Sequence, residues 1–273
     1  MVKLEAVWDR TSEFVAERRA DVMPIAGLLL FVPLALLNIL MGLIGREPSV
    51  HNIALGLASL ALALVTMWGH LALTALVLDA PGWKAAVRNG AGRLPFAVLI
   101  SLIEMAVVVL AVSPIFVVFA MSGIVPGRPP AGMPMIGLEP AVFILVYGLV
   151  FAIVGLVLLA RLLLVDAALV GERRGVSALI RSLSLTRGMT LKLVGVALLY
   201  IIVSQVAGLA TKTVFGAILG LLTLGSDTAT VATITTTTLV ALVQTGFTAL
   251  ATVFTARLFI AVRDVRETIV ELV

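Results

Sequence analysis

His70 and Glu104 are the residues of this sequence whose types and positions best lend themselves to chemistry inside a membrane. Each sits within a long apolar run, His70 eight residues before Leu78 and Glu104 nine residues past Pro95. At the helical rise those offsets are depths of roughly 12 Å and 13 Å. Ionisable groups at such depth are costly and point first to function. The two runs are consecutive, hence antiparallel, so the depths match and the spacing predicts that His70 and Glu104 face each other. Such a pair suits proton coupling or a polar substrate. Its structural alternative is an interhelical pair, or a neutral Glu104 bonded to a carbonyl, in which partnering offsets the cost of burial.

Other chemistries find little to work with. There is no cysteine, which excludes disulfides, thiolate metal sites and cysteine nucleophiles. His51 and His70 are the only histidines. No phosphate-binding loop, His-Glu-x-x-His or Gly-x-Ser-x-Gly pattern occurs. Glu104 is the one carboxylate deep in an apolar run, so paired-carboxylate catalysis lacks its second member. Met133 and Met135 form a Met-x-Met pair of the kind that holds Cu(I), but without His or Cys nearby it reads as loop packing. The sequence therefore predicts no catalytic residues, no cofactor and no metal. A second candidate set is basic: Arg161, Arg174, Arg181, Arg187 and Arg257 stand at the ends of apolar runs or beside them, where guanidinium groups reach lipid phosphates.

The elements that must position these residues are membrane helices. The chain of 273 residues is 61% hydrophobic and 12% charged, with a mean hydropathy of +1.20. Soluble domains are about 45–50% apolar and about 25% charged, so lipid is the solvent here. Six runs are long enough to cross a ~30 Å core: about 22–44, 53–78, 95–119, 140–164, 191–209 (extending towards Leu222) and 232–262. Continuous apolarity makes them helices, because lipid offers the backbone no partners. The fold class is all-α, a single polytopic membrane domain of six transmembrane helices with interfacial helices. Pro95 and Pro140 suit helix first turns, and Pro33 and Pro114 predict kinks. The segment 121–140, with four prolines between Pro126 and Pro134, should be irregular.

Charge orients the bundle. Of 19 Lys and Arg, only Arg46, Arg128 and Lys212 fall in the three connections on one side. The positive-inside rule therefore places both termini in the cytoplasm, and the composition leans towards a bacterial inner membrane. The calculated pI of about 10.0 reflects juxtamembrane charge, not nucleic-acid binding. Residues 1–21 are too acidic for a signal peptide and read as a cytoplasmic amphipathic helix leading into the first span, with Trp8 an interfacial anchor or a packing residue.

An internal pattern divides the chain in three. Cytoplasmic segments 3–21, 81–93 and 172–189 each precede an odd-numbered span. Leu78-Asp79-Ala80 is echoed by Val165-Asp166-Ala167, and Ala160-Arg161-Leu162 by Ala256-Arg257-Leu258. We read three repeats of interfacial helix plus helical hairpin. In the third segment Val176, Leu179, Ile180 and Leu183 share a face, opposite Arg174, Ser177, Arg181 and Ser184, and Gly188 is placed to cap the helix. That helix should lie in the interface with Arg181 and Arg187 near phosphates. In the sixth span Thr238, Ala241, Thr245, Thr248, Thr252 and Thr255 make a small, weakly polar face. That face, like the small pairs Gly148/Ala152 and Gly216/Gly220, suits close helix packing.

Ala160-Arg161, Gly171-Glu172 and the run Ala178-Leu179-Ile180-Arg181-Ser182-Leu183-Ser184-Leu185-Thr186-Arg187-Gly188 resemble the glycerophosphoryl diester phosphodiesterase membrane-domain family and the related YciC-type bacterial proteins. The resemblance implies a six-span α-helical inner-membrane protein linked to lipid or envelope metabolism. The soluble phosphodiesterase domain fused to some members has no counterpart in this sequence, so no hydrolase residues carry over. The expected function is a non-enzymatic scaffold or accessory in lipid and envelope homeostasis. The alternative is a small transporter or permease for a lipid-like or amphipathic compound. Membrane lipids are the expected partners, with a second copy or another membrane protein as further candidates, and nucleic acid is not one.

Overall fold

The computed structural model describes residues 3–43, 50–122, 137–222 and 229–271. All the elements among these residues are helices. In chain order they are α1 (Leu4–Glu17), α2 (Arg19–Ile25), a π-helical turn (Ala26–Phe31), α3 (Val32–Leu43), α4 (Val50–Leu78), α5 (Trp83–Ala91), α6 (Leu94–Met121), α7 (Leu138–Leu162), α8 (Val165–Gly171), α9 (Ser177–Leu185), α10 (Thr190–Leu222) and α11 (Ala229–Glu271). Six stretches are long and apolar enough to cross a membrane: Arg19–Leu40, Asn52–Leu78, Leu94–Met121, Leu138–Gly171, Thr190–Leu221 and Val231–Val265. These are the six runs read from hydropathy. The Pro-rich connection, with Met133 and Met135, and the side chain of His51 lie outside the described residues.

Proline acts differently in the two interrupted spans. A π turn leads directly into Pro33. Pairing one residue further along the chain skips the position that lacks an N–H, which is how a helix passes a proline without orphaning carbonyls. At Pro114 the helix runs on unbroken. Proline there removes the donor for the Leu110 carbonyl, and the Ser113 hydroxyl takes its place at 2.8 Å. From α7, the Tyr147 hydroxyl donates to the neighbouring Ala111 carbonyl at 2.6 Å, which ties the repaired turn to the next helix.

α4 is the centre of the fold. Residues 71–77 are buried all round, because α5, α8, α11 and the α2–α3 segment each take a side. Two cores flank this stretch. One joins Phe14, Val22, Ile25 and Leu30 to α4, Ala86 of α5 and Val253 of α11. The other collects the inner ends of α6 (Ala97, Ile100), α7 (Ala160), α10 (Leu193) and α11 (Leu258, Phe259) around α8, where Leu164, Ala168 and Leu169 are fully buried. Hydropathy alone runs on from the fourth span into α8. The chain instead turns at Leu163 and Leu164, so α8 wedges under the bundle.

Two glycines permit this density. A Cβ at Gly90 would lie 2.7 Å from the Ala72 backbone nitrogen, so α5 crosses α4 backbone to backbone. A Cβ at Gly69 would lie 2.8 Å from the Leu29 carbonyl, beside the π turn. Arg18 locks the same corner: its guanidinium donates to the Leu76, Ala80 and Pro81 carbonyls at the end of α4. Asp21 then accepts from the Trp83 N–H at 3.1 Å, capping α5 from another element.

Packing loosens away from this end. In α6 and α7 the most apolar 18-residue windows contain no buried residue. A Cβ at Gly148 would have nothing within 4 Å, and Ala152 is exposed, so that small pair does not mediate packing as expected. Gly216 does meet a neighbour, the Thr236 methyl of α11, at 3.9 Å. The outer halves of α6 and α7 are thus apolar on nearly all sides, a surface suited to lipid.

Candidate functional site

His70 and Glu104 do not form the expected pair. Among the described residues no hydrogen bond or ion pair joins them. His70 lies on the side of α4 that meets α11, and its Nδ1 is 3.1 Å from the Thr252 hydroxyl. That hydroxyl is 2.8 Å from the Thr248 carbonyl, to which it donates its single proton. The tautomer of the ring sets the direction of the bond between the two side chains. Helix rotation aims His70 at α11 rather than α6.

The residue that links the two is Asp166 in the first turn of α8. It interacts electrostatically with both His70 and Glu104. Its neighbours Leu164, Val165, Ala167, Ala168 and Leu169 are buried, while Asp166 is exposed and Glu104 is half-buried. His70 thus has Thr252 of α11 as its hydrogen-bond partner and Asp166 of α8 as its electrostatic neighbour, and Asp166 acts in turn on Glu104 of α6. Asp166 was legible as a span-end residue echoing Asp79. Nothing in the apolar run announced that α8 would fold back towards α4.

The threonines of α11 are mostly self-satisfied. Thr236, Thr237, Thr238, Thr245 and Thr252 each donate to a carbonyl four residues back at 2.8 Å. In a helix this arrangement quenches the hydroxyl and leaves a small face. Ala241, Thr245, Ala249, Thr252 and Ala256 are buried along that face.

The arginines read as headgroup contacts are dispersed, and several have protein partners. Arg174 and Arg181 both pair with Glu172, the latter at 2.8 Å. Arg161 donates to the Leu183 carbonyl at 3.3 Å, and its own carbonyl accepts from Ser182 at 2.7 Å and from Thr186. Arg187 is exposed in the turn after α9. Arg257 lies over the Phe14 ring, 4.7 Å from its centroid, and lines a small recess of about 240 Å³ with Lys3, Arg10 and Asp264. These bonds account for much of the motif that carries the family resemblance: Ser182 and Thr186 clamp α9 onto the end of α7, and Glu172 holds Arg181 from the turn before α9. The buried face of α9 is accordingly Ala178, Ser182 and Leu185, while Ile180 is exposed. Gly188 follows with φ +89° and turns the chain into α10. Trp8 packs at a tilt on Phe254 and is half exposed.

A larger cavity, about 800 Å³, opens at the same end. Ala75, Leu78, Val170 and Ile260 give it apolar wall. Arg88, Arg93, Arg173 and Arg263 supply the charge, with Asp79 the one acidic side chain in the lining. None of these four arginines was singled out from sequence as a binding residue. They come from α5, the α5–α6 junction, the α8–α9 turn and α11, and only the fold assembles them. No protein-family model, curated protein or solved structure matches this chain.

Proposed function

We propose that this chain is a non-enzymatic, lipid-associated integral membrane protein, a scaffold or accessory in lipid and envelope homeostasis at a bacterial inner membrane. In this reading the basic end, with both termini, faces the cytoplasm, and α1, α5 and α9 open three helical-hairpin repeats. The carrying observation is the division of the molecule. One end is knit by interfacial helices, buried carbonyl caps and ion pairs, and the far halves of α6 and α7 present apolar surface on nearly all sides. A protein that only spanned the bilayer would have no need of the wedge of α8 or of helices packed so loosely beyond it. The resemblance of the α7–α9 region to lipid-linked membrane domains supports the same reading. The hydrogen bond between His70 and Thr252 supports a structural role for these two side chains.

A specific observation favours the alternative, a small transporter or permease for a lipid-like or amphipathic compound. Asp166 acts electrostatically on both His70 and Glu104, so ionisable groups from three helices gather in one region, as a polar path through the bundle would require. Single cysteines distinguish the two in a chain that has none of its own. Glu104→Cys, His70→Cys and Thr248→Cys are treated in sealed vesicles of each orientation with a membrane-impermeant thiol reagent, with Lys84→Cys as the accessible control. The scaffold reading expects a reactive control and silent positions at depth. Labelling at depth that a candidate solute blocks would replace it with transport.

A further inference from the structure

We infer that the arginine-lined cavity between α4, α5, the α8–α9 turn and α11 binds a phosphate-bearing anion, with the headgroup of an anionic lipid as its favoured source. The inference rests on the lipid-associated reading and names its ligand and site.

The charge of the cavity is concentrated and largely unanswered. Four arginines face one aspartate across the lining. Among the described residues, no side-chain hydrogen bond or ion pair engages Arg88, Arg93 or Arg173. Arg263 also meets Asp264 at 3.5 Å and lies over the Phe259 ring. Cations nearby behave otherwise: Arg174 and Arg181 share Glu172, and Arg18 is spent on three carbonyls and Asp21. Like charges around one hollow repel, and a bound anion relieves that repulsion. Arginine is also the side chain whose planar fork matches phosphate oxygens two at a time.

Backbone geometry reinforces the arrangement. Arg173 has φ 52°, the left-handed region that an arginine rarely occupies. Such conformations persist where surrounding structure over-determines them and gather at ligand sites. The turn is fixed on its near side by Gly171, where a Cβ would meet Leu78 at 3.1 Å and Phe259 at 3.3 Å. Close packing of α8 on α4 and α11 therefore sets where Arg173 stands.

Position selects the lipid. Ala75 and Leu78 end one candidate span, Arg93 immediately precedes another, and Ile260 and Arg263 lie near the end of a third, with Val170 and Gly171 of the short helix α8 beside them. The cavity thus sits at the level where spans stop, with apolar walls from the span ends and guanidinium groups beyond them. An acyl stem and a phosphate would meet matching surfaces there. Its volume is within the usual range for small-ligand pockets, about 300–1,000 Å³.

The test uses the full chain in nanodiscs of phosphatidylcholine, alone or doped with phosphatidic acid or phosphatidylglycerol. Native mass spectrometry reads retained lipid and thermal unfolding reads stabilisation. Soluble arms add inorganic phosphate or glycerol 3-phosphate to the undoped discs. The anionic lipids should be retained over phosphatidylcholine and should raise the unfolding midpoint. Arg88→Gln with Arg173→Gln should weaken retention by about a hundredfold, near tenfold for each lost charge-assisted contact. Arg19→Gln, exposed and outside the cavity, should leave it unchanged. Stabilisation by soluble phosphate without lipid retention would keep the phosphate site and assign it a soluble source. Equal behaviour of wild type and the double glutamine variant towards every phosphate compound would overturn the site. Should that variant not fold, Arg88→Lys with Arg173→Lys keeps the charge and loses the forks: retention should fall by about tenfold, and no fall would overturn it too. Failure here is distinct from failure of the lipid-associated reading, which the cysteine labelling exposes without touching these arginines.

Discussion

At the scale of single residues, the close crossing of α5 over α4 makes the sharpest prediction. Gly90→Ala drives a Cβ to 2.7 Å from backbone that cannot swing aside. It should lower stability by about 1–3 kcal/mol, the usual cost of overpacking. Gly148→Ala, in open space on α7, should be neutral or stabilising by up to about 1 kcal/mol, since alanine is the better helix former. Thermal unfolding in one detergent compares the two. Arg18→Ala should cost about 1.5–3 kcal/mol in the same assay, because charge-assisted bonds to carbonyls are the stronger class and the end of α4 has its caps from this side chain. Thr252→Val removes the oxygen that meets His70 and should cost about 0.6 kcal/mol, typical of an interhelical hydrogen bond in a membrane.

At the scale of elements, the repair at Pro114 is testable as a cycle. Ser113→Ala leaves the Leu110 carbonyl without its donor and should destabilise by about 1–3 kcal/mol. Adding Pro114→Ala restores a backbone N–H, so the double variant should recover most of that loss; equal losses for single and double variants would refute the repair. The spans themselves were legible in the sequence because the solvent imposes them: a continuous apolar run in lipid has almost no structure open to it but a helix. Rotation about the helix axis was not, since a run apolar on every side carries no marker of which face meets which neighbour. That is why His70 could be placed within its span while its partner could not. The buried seam of α9 was missed for a related reason. Its small polar residues, Ser182 and Thr186, serve the Arg161 carbonyl, and hydropathy counts them as solvent-facing. The cavity arginines were invisible for a third: each is an ordinary juxtamembrane charge, and their meeting is a property of four elements at once.

At the scale of the whole molecule, the packing gradient predicts a gradient of order. Spin labels at Val117 and Leu57, both exposed on outer halves, should give a broad distance distribution by pulsed electron resonance in nanodiscs. Labels at Lys84 and Ile180 on the interfacial helices should give a narrow one. Equal widths would mean that the loosely packed helices are held by something other than their own contacts.

The same gradient gives α6 the geometry of a lever. Its first turns are seated through Ala97 and Ile100, and its 28 residues extend about 42 Å at the helical rise. A rotation of about 10° at the seat carries the far tip through roughly 7 Å, most of the distance that separates two packed helices. The seat touches α8, so a disturbance of a fraction of an ångström where that short helix meets its neighbours is multiplied along the arm, and the opposite leaflet is where it would be felt.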